Sequence, residues 1–359
     1  MNRAAALRSG SRITKIVCAA LVCLWAVPTV GEKQDDAGWY EITDLGGPLE
    51  MEAVACAINR HGTVVGEAQG EPDAEHTVRA FRYVSRKFQF LEKPFSGGWS
   101  AGKAINAGGA IVGNAESKDG QTRAFIWNNQ RMRDLGTLGG ENCQASGIND
   151  AGLVVGASEI RPLNEERHAF VWRQGKMRDL GTLGGKRSYA SAINSRNVIV
   201  GGAQTKAGVW QACLWEEGRI RALKTPPGSE SGAQDINERG EIAGWLLPAP
   251  SPNQRRTMRA FLYRDGQMRS LSGKTDHSSV AFALNDRGEV VGQVTDASGQ
   301  RRATLWSKGS AVDLNERLIP QPGVRWQLMA ALDINDTGQI VGFGERNGVC
   351  RGFLLTPRH

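Results

Sequence analysis

His61, His76, His168, His277 and His359 are the only histidines in the chain, and no two have the spacing of a zinc motif. The sequence contains no Gly-x-Ser-x-Gly elbow, no His-Glu-x-x-His and no phosphate-binding glycine loop. Two carboxylates stand out by position, because Asp235 and Asp333 each lie two residues before an asparagine. Such a pair could serve acid and base roles in glycoside cleavage if the fold brought them together. Asp150, Asp286 and Asp336 follow asparagines directly. That arrangement resembles the start of a calcium loop, but calcium takes about six to eight oxygens and a tight turn offers two side chains. No metal and no cofactor are therefore expected.

These asparagines are parts of a repeat. The string RMRDLGTLGG at 131–140 returns as KMRDLGTLGG at 176–185, and QASGINDAGLVVG at 144–156 returns as YASAINSRNVIVG at 189–201. Fainter copies fill the chain. An asparagine after Ile or Leu recurs at Asn59, Asn106, Asn149, Asn194, Asn237, Asn285 and Asn335. A small residue followed by a mostly apolar one recurs seven times, from Ala80-Phe81 to Gly352-Phe353, and an Asp-Leu-Gly-like string also recurs seven times. Seven copies of each element mean seven units.

Each unit reads as four short strands, since runs rich in Val, Ile, Phe and Trp alternate with Gly, Asn and Asp turns. Asn followed three residues later by Gly suits a type I turn closed by a left-handed residue, and Asn197 replaces that Gly in one unit. The expected fold is all-β, a seven-bladed β-propeller of four-stranded blades. The chain opens with a lone fourth strand, 39–45, and closes with a lone third strand, 351–355. The two complete one blade only by pairing with each other, so an N-terminal strand should close the ring beside the C-terminal strand. A β-solenoid is the competing architecture, and it would leave both pieces as exposed edges.

The INDxGxVVG pattern, His168-Ala169-Phe170 with its Arg-Ala-Phe relatives, and the DLGTLGG strings resemble the HAF repeat family of bacterial extracellular proteins. The resemblance covers the chain after its first residues. Later units depart from it: Cys213 and Thr304 stand where Phe belongs, and Leu223-Lys224 and Leu271-Ser272 lack the glycine. It implies export and repetition but no reaction.

Residues 1–31 read as a signal peptide, leaving 32–359 as a single repeat domain. Arg3, Arg8, Arg12 and Lys15 precede an apolar run from Ile16 to Pro28 that is short for a bilayer span. Removing those four basic residues and no acidic one lowers the formal charge from +7 to +3, which argues against nucleic acid. Cys56, Cys143, Cys213 and Cys350 are far apart and make no disulfide framework. A secreted or periplasmic protein, monomeric and without a stable membrane span after removal of the leader, is expected.

Residues needed in every unit serve turns and packing, so Trp127, Trp172, Trp215 and Trp306 should fill the space between blades. Arg131, Arg133, Lys176, Arg178, Arg219, Arg221 and Arg269 on the fourth strands read first as protection of the outer edge, with a polyanion-binding rim as the functional alternative. Connections from strand one to two and from three to four are tight and define one face. Connections from two to three and from four to the next blade vary and define the other, where binding is expected. Side chains that break the pattern there are Trp99, Arg187, Tyr189, Asp276, His277, Arg325 and Trp326. A binding or scaffold module for a cell-surface polysaccharide or protein is the leading expectation. A carbohydrate-active hydrolase or lyase with a site at the propeller centre is the alternative.

Overall fold

The computed structural model describes residues 38–46, 51–69, 78–92, 95, 97–128, 131–162, 166–251, 256–273 and 277–358. The expected leader, Asp276 and the whole of the long connection at 70–77 lie outside these residues. Among them no helix is long and apolar enough to cross a membrane.

The chain enters through β1 (Tyr40–Asp44). Blade 1 follows as β2 (Ala53–Ile58), β3 (Val64–Gln69), β4 (Val78–Val84) and β5 (Lys87–Phe90). Blade 2 is β6 (Ser100–Ile105), β7 (Ile111–Glu116), β8 (Thr122–Asn128) and β9 (Arg131–Asp134). Blade 3 is β10 (Cys143–Ile148), β11 (Val154–Glu159), β12 (Arg167–Arg173) and β13 (Lys176–Asp179). Blade 4 is β14 (Gly184–Ile193), β15 (Ile199–Thr205), β16 (Trp210–Glu216) and β17 (Arg219–Ala222). Blade 5 is β18 (Glu230–Ile236), β19 (Ile242–Leu247), β20 (Arg259–Arg264) and β21 (Gln267–Ser270). Blade 6 is β22 (Ser278–Leu284), β23 (Val290–Thr295), β24 (Arg301–Ser307) and β25 (Ser310–Asp313). Blade 7 is β26 (Trp326–Ile334), β27 (Ile340–Arg346) and β28 (Val349–Pro357), completed by β1.

All seven sheets have four antiparallel strands, and in the last the order is β1-β28-β27-β26. First strands of neighbouring blades touch all the way round, with β2 against both β6 and β26. The expected seven-bladed propeller is therefore present, closed as expected by the N-terminal strand. Pairing of Ile42 with Leu355 and of Asp44 with Phe353 sets the register of closure.

Repeated residues explain the blade. The Phe of Ala-Phe lies directly opposite the Gly of Val-Val-Gly, as in Phe81 and Gly66 or Phe170 and Gly156. A Cβ on Gly66 would collide with the Phe81 ring and the Val54 carbonyl, so the close approach requires glycine. Phe81, Phe125, Phe170, Phe261 and Phe353 are fully buried. The tryptophans pack across blades as expected: Trp127 meets Ala57 and Ala80 of blade 1, and Trp172 meets Val112 and Ala124 of blade 2.

The His of His-Ala-Phe and the Asp of Asp-Leu-Gly form one interaction. His168 Nδ1 lies 2.7 Å from Asp179 Oδ2 within blade 3, and Arg123 takes the place of His in blade 2, donating to Asp134 at 2.8 Å. The other carboxylate oxygen accepts from the glycine amide two residues on, at 2.7 Å from Gly181 and 2.8 Å from Gly136. Two distant strings of the repeat thus pin the outer strand to its neighbour.

The turn asparagines go beyond their expected local role. Each Oδ1 accepts backbone N–H groups of its own turn, as Asn149 does from Leu153 at 3.0 Å. Each Nδ2 donates to the carbonyl of the next asparagine, from Asn59 to Asn106 and on through Asn149, Asn194, Asn237 and Asn285 to Asn335, at 3.1 to 3.2 Å. Asp150, Asp286 and Asp336 join neighbouring turns too, each accepting a backbone N–H from the preceding blade at 2.8 Å.

Candidate binding face

At the centre of the tight-turn face lies this asparagine circuit. A recess on this face, lined by Arg239, Gly240, Glu241, Arg264 and Asp265, is internally neutralised. There Glu241 accepts from Asn237 and Arg239 at 2.7 Å and pairs with Arg264.

At the centre, every first strand carries a bulge three residues before its asparagine, at Cys56, Lys103, Ser146, Ser191, Gln234, Phe282 and Leu332. Lys103 Nζ lies 3.7 Å from Glu67 and 4.0 Å from the Cys56 thiol. Burial pushes that thiol up to about 11, so it is not a thiolate at neutral pH. Asp235 and Asp333 flank the bulges of their blades. Asp333 accepts from Ile334 and Ile58 at 2.8 Å, and Asp235 accepts from Ile236 at 2.8 Å and Leu284 at 2.9 Å. Each carboxylate therefore fastens its blade to the next. Burial raises Asp235 to about 6, and burial together with the charge of Asp235 raises Asp333 to about 7. Both oxygens of each group are held by backbone N–H groups, so these carboxylates link neighbouring blades.

The opposite face is built differently. Its long connections from second to third strand belong to blades 1, 3 and 5, while blades 2, 4, 6 and 7 cross there by short turns such as Ser117 to Gln121 and Asn347-Gly348. The glycine pairs of the repeat shape the approach to the first strands of blades 3 and 4. A Cβ on Gly140 would strike Glu159, and one on Gly185 would strike Gln204 and Thr205. The buried Glu159 carboxylate then gathers the amides of Glu141 and Asn142 at 3.2 and 3.1 Å.

The sequence candidates lie at the starts of first strands on this face, spread over several blades. Trp99 is half-buried and bridges to Val78; Arg187 and Tyr189 are half-buried on β14; His277 is exposed before β22. Arg325 is exposed and Trp326 half-buried at the start of β26. Arg325 lines a shallow recess of about 360 Å³ with Gln327, Glu345, Asn347 and Gly348. The candidates thus fall into separate groups, not one constellation.

Tyr189 has two partners that the sequence reading missed. Its ring centroid lies 5.4 Å from that of Trp210, and its hydroxyl lies beside the Trp245 indole over Gly232, where an added Cβ would meet both. A Cβ on Gly202 would strike the Tyr189 ring and one on Gly232 its hydroxyl, so these two glycines let it span from blade 4 to blade 5. All three aromatics remain partly open to solvent, and burial pushes the phenol up to about 12. Part of the signal was available: Trp245 occupies the position after Val-Val-Gly, where the other blades carry Glu67, Asn114, Ala157, Gly202, Gln293 and Phe343. Of the three large apolar residues most exposed among those described, Met258 and Val349 lie at third-strand starts on this same face.

No protein-family profile matches the chain, and no curated protein sequence does. The fold has solved counterparts. The β-propeller domain of the Trilobed protease from Pyrococcus furiosus is similar over 88% of this chain and 93% of its own, with 12% identity and a TM-score of 0.56. A Pyrococcus horikoshii acylaminoacyl peptidase matches with a TM-score of 0.55 and 12% identity over 86% of this chain and 51% of its own. A puromycin-hydrolyzing peptidase of Mycobacterium tuberculosis matches with a TM-score of 0.53 and 12% identity over 86% of this chain and 52% of its own. The chain spans about half the length of those two peptidases, and at this identity the likeness establishes the propeller fold alone.

Proposed function

We propose that this protein is an exported binding module that engages a glycan or a protein through its variable-loop face. The observation that carries the reading is the Tyr189, Trp210 and Trp245 cluster, where three aromatics break the repeat together and keep part of their surface open. Aromatic rings offer flat contact area at low entropic cost, and a rigid scaffold below them holds their positions. Export rests on the leader read at residues 1–31, and the His-Ala-Phe and Asp-Leu-Gly strings are the basis for assigning the chain to the HAF repeat family.

A glycan array and a pull-down from cell-surface material test the reading. Trp99→Ala, Trp210→Ala, Trp245→Ala and Trp326→Ala should weaken capture, whereas His61→Ala and Gln174→Ala on the tight-turn face should leave it unchanged. Because Tyr189 packs on Gly202 and Gly232, Tyr189→Ala should also lower stability. Capture lost only in the tight-turn variants would transfer the site to the other face. Mass spectrometry of material from a bacterial host should find a mature N-terminus near Glu32; an intact Met1 on membrane-held protein would identify an anchor.

A further inference from the structure

The outer strands of blades 2, 3 and 4 read RMRD, KMRD and RIRA. Their apolar second residues, Met132, Met177 and Ile220, turn toward the preceding blade and pack against its core. The first and third residues therefore face the following blade, and all six, Arg131, Arg133, Lys176, Arg178, Arg219 and Arg221, are exposed. Among the described residues a carboxylate lies within 4 Å of only one of them, Arg221, whose partner Glu216 is 3.7 Å away and itself half-exposed. Arg178 reaches from blade 3 to the turn at Gly218 of blade 4.

Protection of sheet edges does not account for this distribution. Edge protection is needed on every uncovered outer strand, yet β25 carries Ser310 and Val312 at the positions of Arg131 and Arg133. The corresponding residues on β1 are Glu41 and Thr43, and that edge is covered by the segment at 318–321, where the Ile319 amide donates to Tyr40 O at 2.9 Å. Blades 2, 3 and 4 carry two such cations each, against one each on blade 1, Lys87, and blade 5, Arg269.

We propose that the rim across blades 2 to 4 binds a linear acidic polysaccharide. This surface is separate from the variable-loop face and does not depend on the function assigned to that face. Three adjacent blades of a seven-bladed ring span roughly 100° of a convex circumference. A flat anionic bilayer can meet only part of such an arc, and duplex DNA, with a persistence length of about 150 base pairs, does not follow it. A flexible polyanion does. Single-stranded nucleic acid is disfavoured because these strands present no aromatic residue on which bases could stack.

The test uses polygalacturonate as the probe, with dextran, a single-stranded oligonucleotide and anionic phosphatidylglycerol vesicles beside it. The full protein should bind polygalacturonate at low salt and release it as salt rises, and should not retain dextran. Combined Arg133→Ser, Arg178→Ser and Arg221→Ser should weaken binding roughly tenfold with an unchanged melting temperature. Lysine at the same three positions should restore it, and Trp245→Ala should not affect it. If the serine variant fails to fold, the set Arg131→Ser, Lys176→Ser and Arg219→Ser makes the same measurement. The proposal is overturned if wild-type protein ignores polygalacturonate, if a folded serine variant binds equally well, or if oligonucleotide or vesicles are bound more tightly.

Discussion

The side-chain amide of Asn335 donates to the carbonyl oxygen of Asn59 at 3.1 Å, joining residues 276 positions apart in the chain. This bond completes the circuit of seven asparagines, since the other six run in the same direction around the ring. Ring closure consequently has two components: strand pairing at the rim and amide donation at the centre.

Asn106 tests the inner component. It accepts from the Ala110 amide at 2.9 Å and donates to Asn149 O at 3.1 Å. Asn106→Ala leaves buried groups on both sides without their partner, and each such group costs about 1 to 3 kcal/mol. Urea denaturation should show a loss of about 2 to 4 kcal/mol. A loss below about 0.5 kcal/mol would mean that water replaces the circuit freely.

The outer component is tested by deleting Tyr40 to Leu45. Tyr40, Ile42 and Leu45 are all buried, in blade 7 and its junction with blade 1. Their loss should lower the melting temperature by far more than Trp172→Ala, which should itself cost about 3 to 5 kcal/mol as a buried aromatic. Unchanged melting after the deletion would refute closure by this strand.

Asp179 gives a test in acid. Burial acts to raise its carboxyl, but the hydrogen bonds from His168 and Gly181 outweigh it, and the net shift is downward. A lowered folded-state pKa stabilises above the unfolded value near 3.8 and is lost as pH falls through the folded value. Asp179→Asn should be modestly less stable than wild type at pH 7, by less than about 1 kcal/mol because the pair is partly exposed. Denaturation curves of the two proteins should converge toward pH 3.

Asp235 and Asp333 should behave in the opposite sense. Their folded values, raised to about 6 and about 7, mean that the folded state binds protons more readily than the unfolded chain between about pH 4 and 7. Stability from these groups therefore falls as pH rises through that window. Alanine already occupies the same position in blades 1, 2, 4 and 6, at Ala57, Ala104, Ala192 and Ala283. Replacing both aspartates by alanine should flatten the dependence of melting temperature on pH between 5 and 8. An unaltered slope would show that both carboxylates remain ionised throughout.

Blade number, strand order and ring closure were legible in the sequence because each rests on local spacing: Asn to Gly for the first turn, Ala-Phe for the third strand. Contacts between blades were less legible. Ser100, Ser188, Ser231 and Ser279 accept the amides of Ala80, Ala169, Ala212 and Ala260 of the preceding blade at 2.8 to 3.0 Å. Each serine lies six residues before an asparagine, a constant spacing whose partner becomes visible only once blades are side by side. Tyr189 was singled out, but Trp210 and Trp245 were not, because their convergence depends on Gly202 and Gly232 admitting a ring between two sheets. Asp235 and Asp333 were legible as unusual, but their links between blades were not, since the sequence does not show which amides they face.

The asparagine circuit also bears on how the protein comes apart. An open array of repeats has end units with a single neighbour, and these fray before the middle does. Here every blade has two neighbours and an asparagine that is both donor and acceptor. There is no terminal unit to melt first, so heat or denaturant should dismantle all seven blades in one cooperative step.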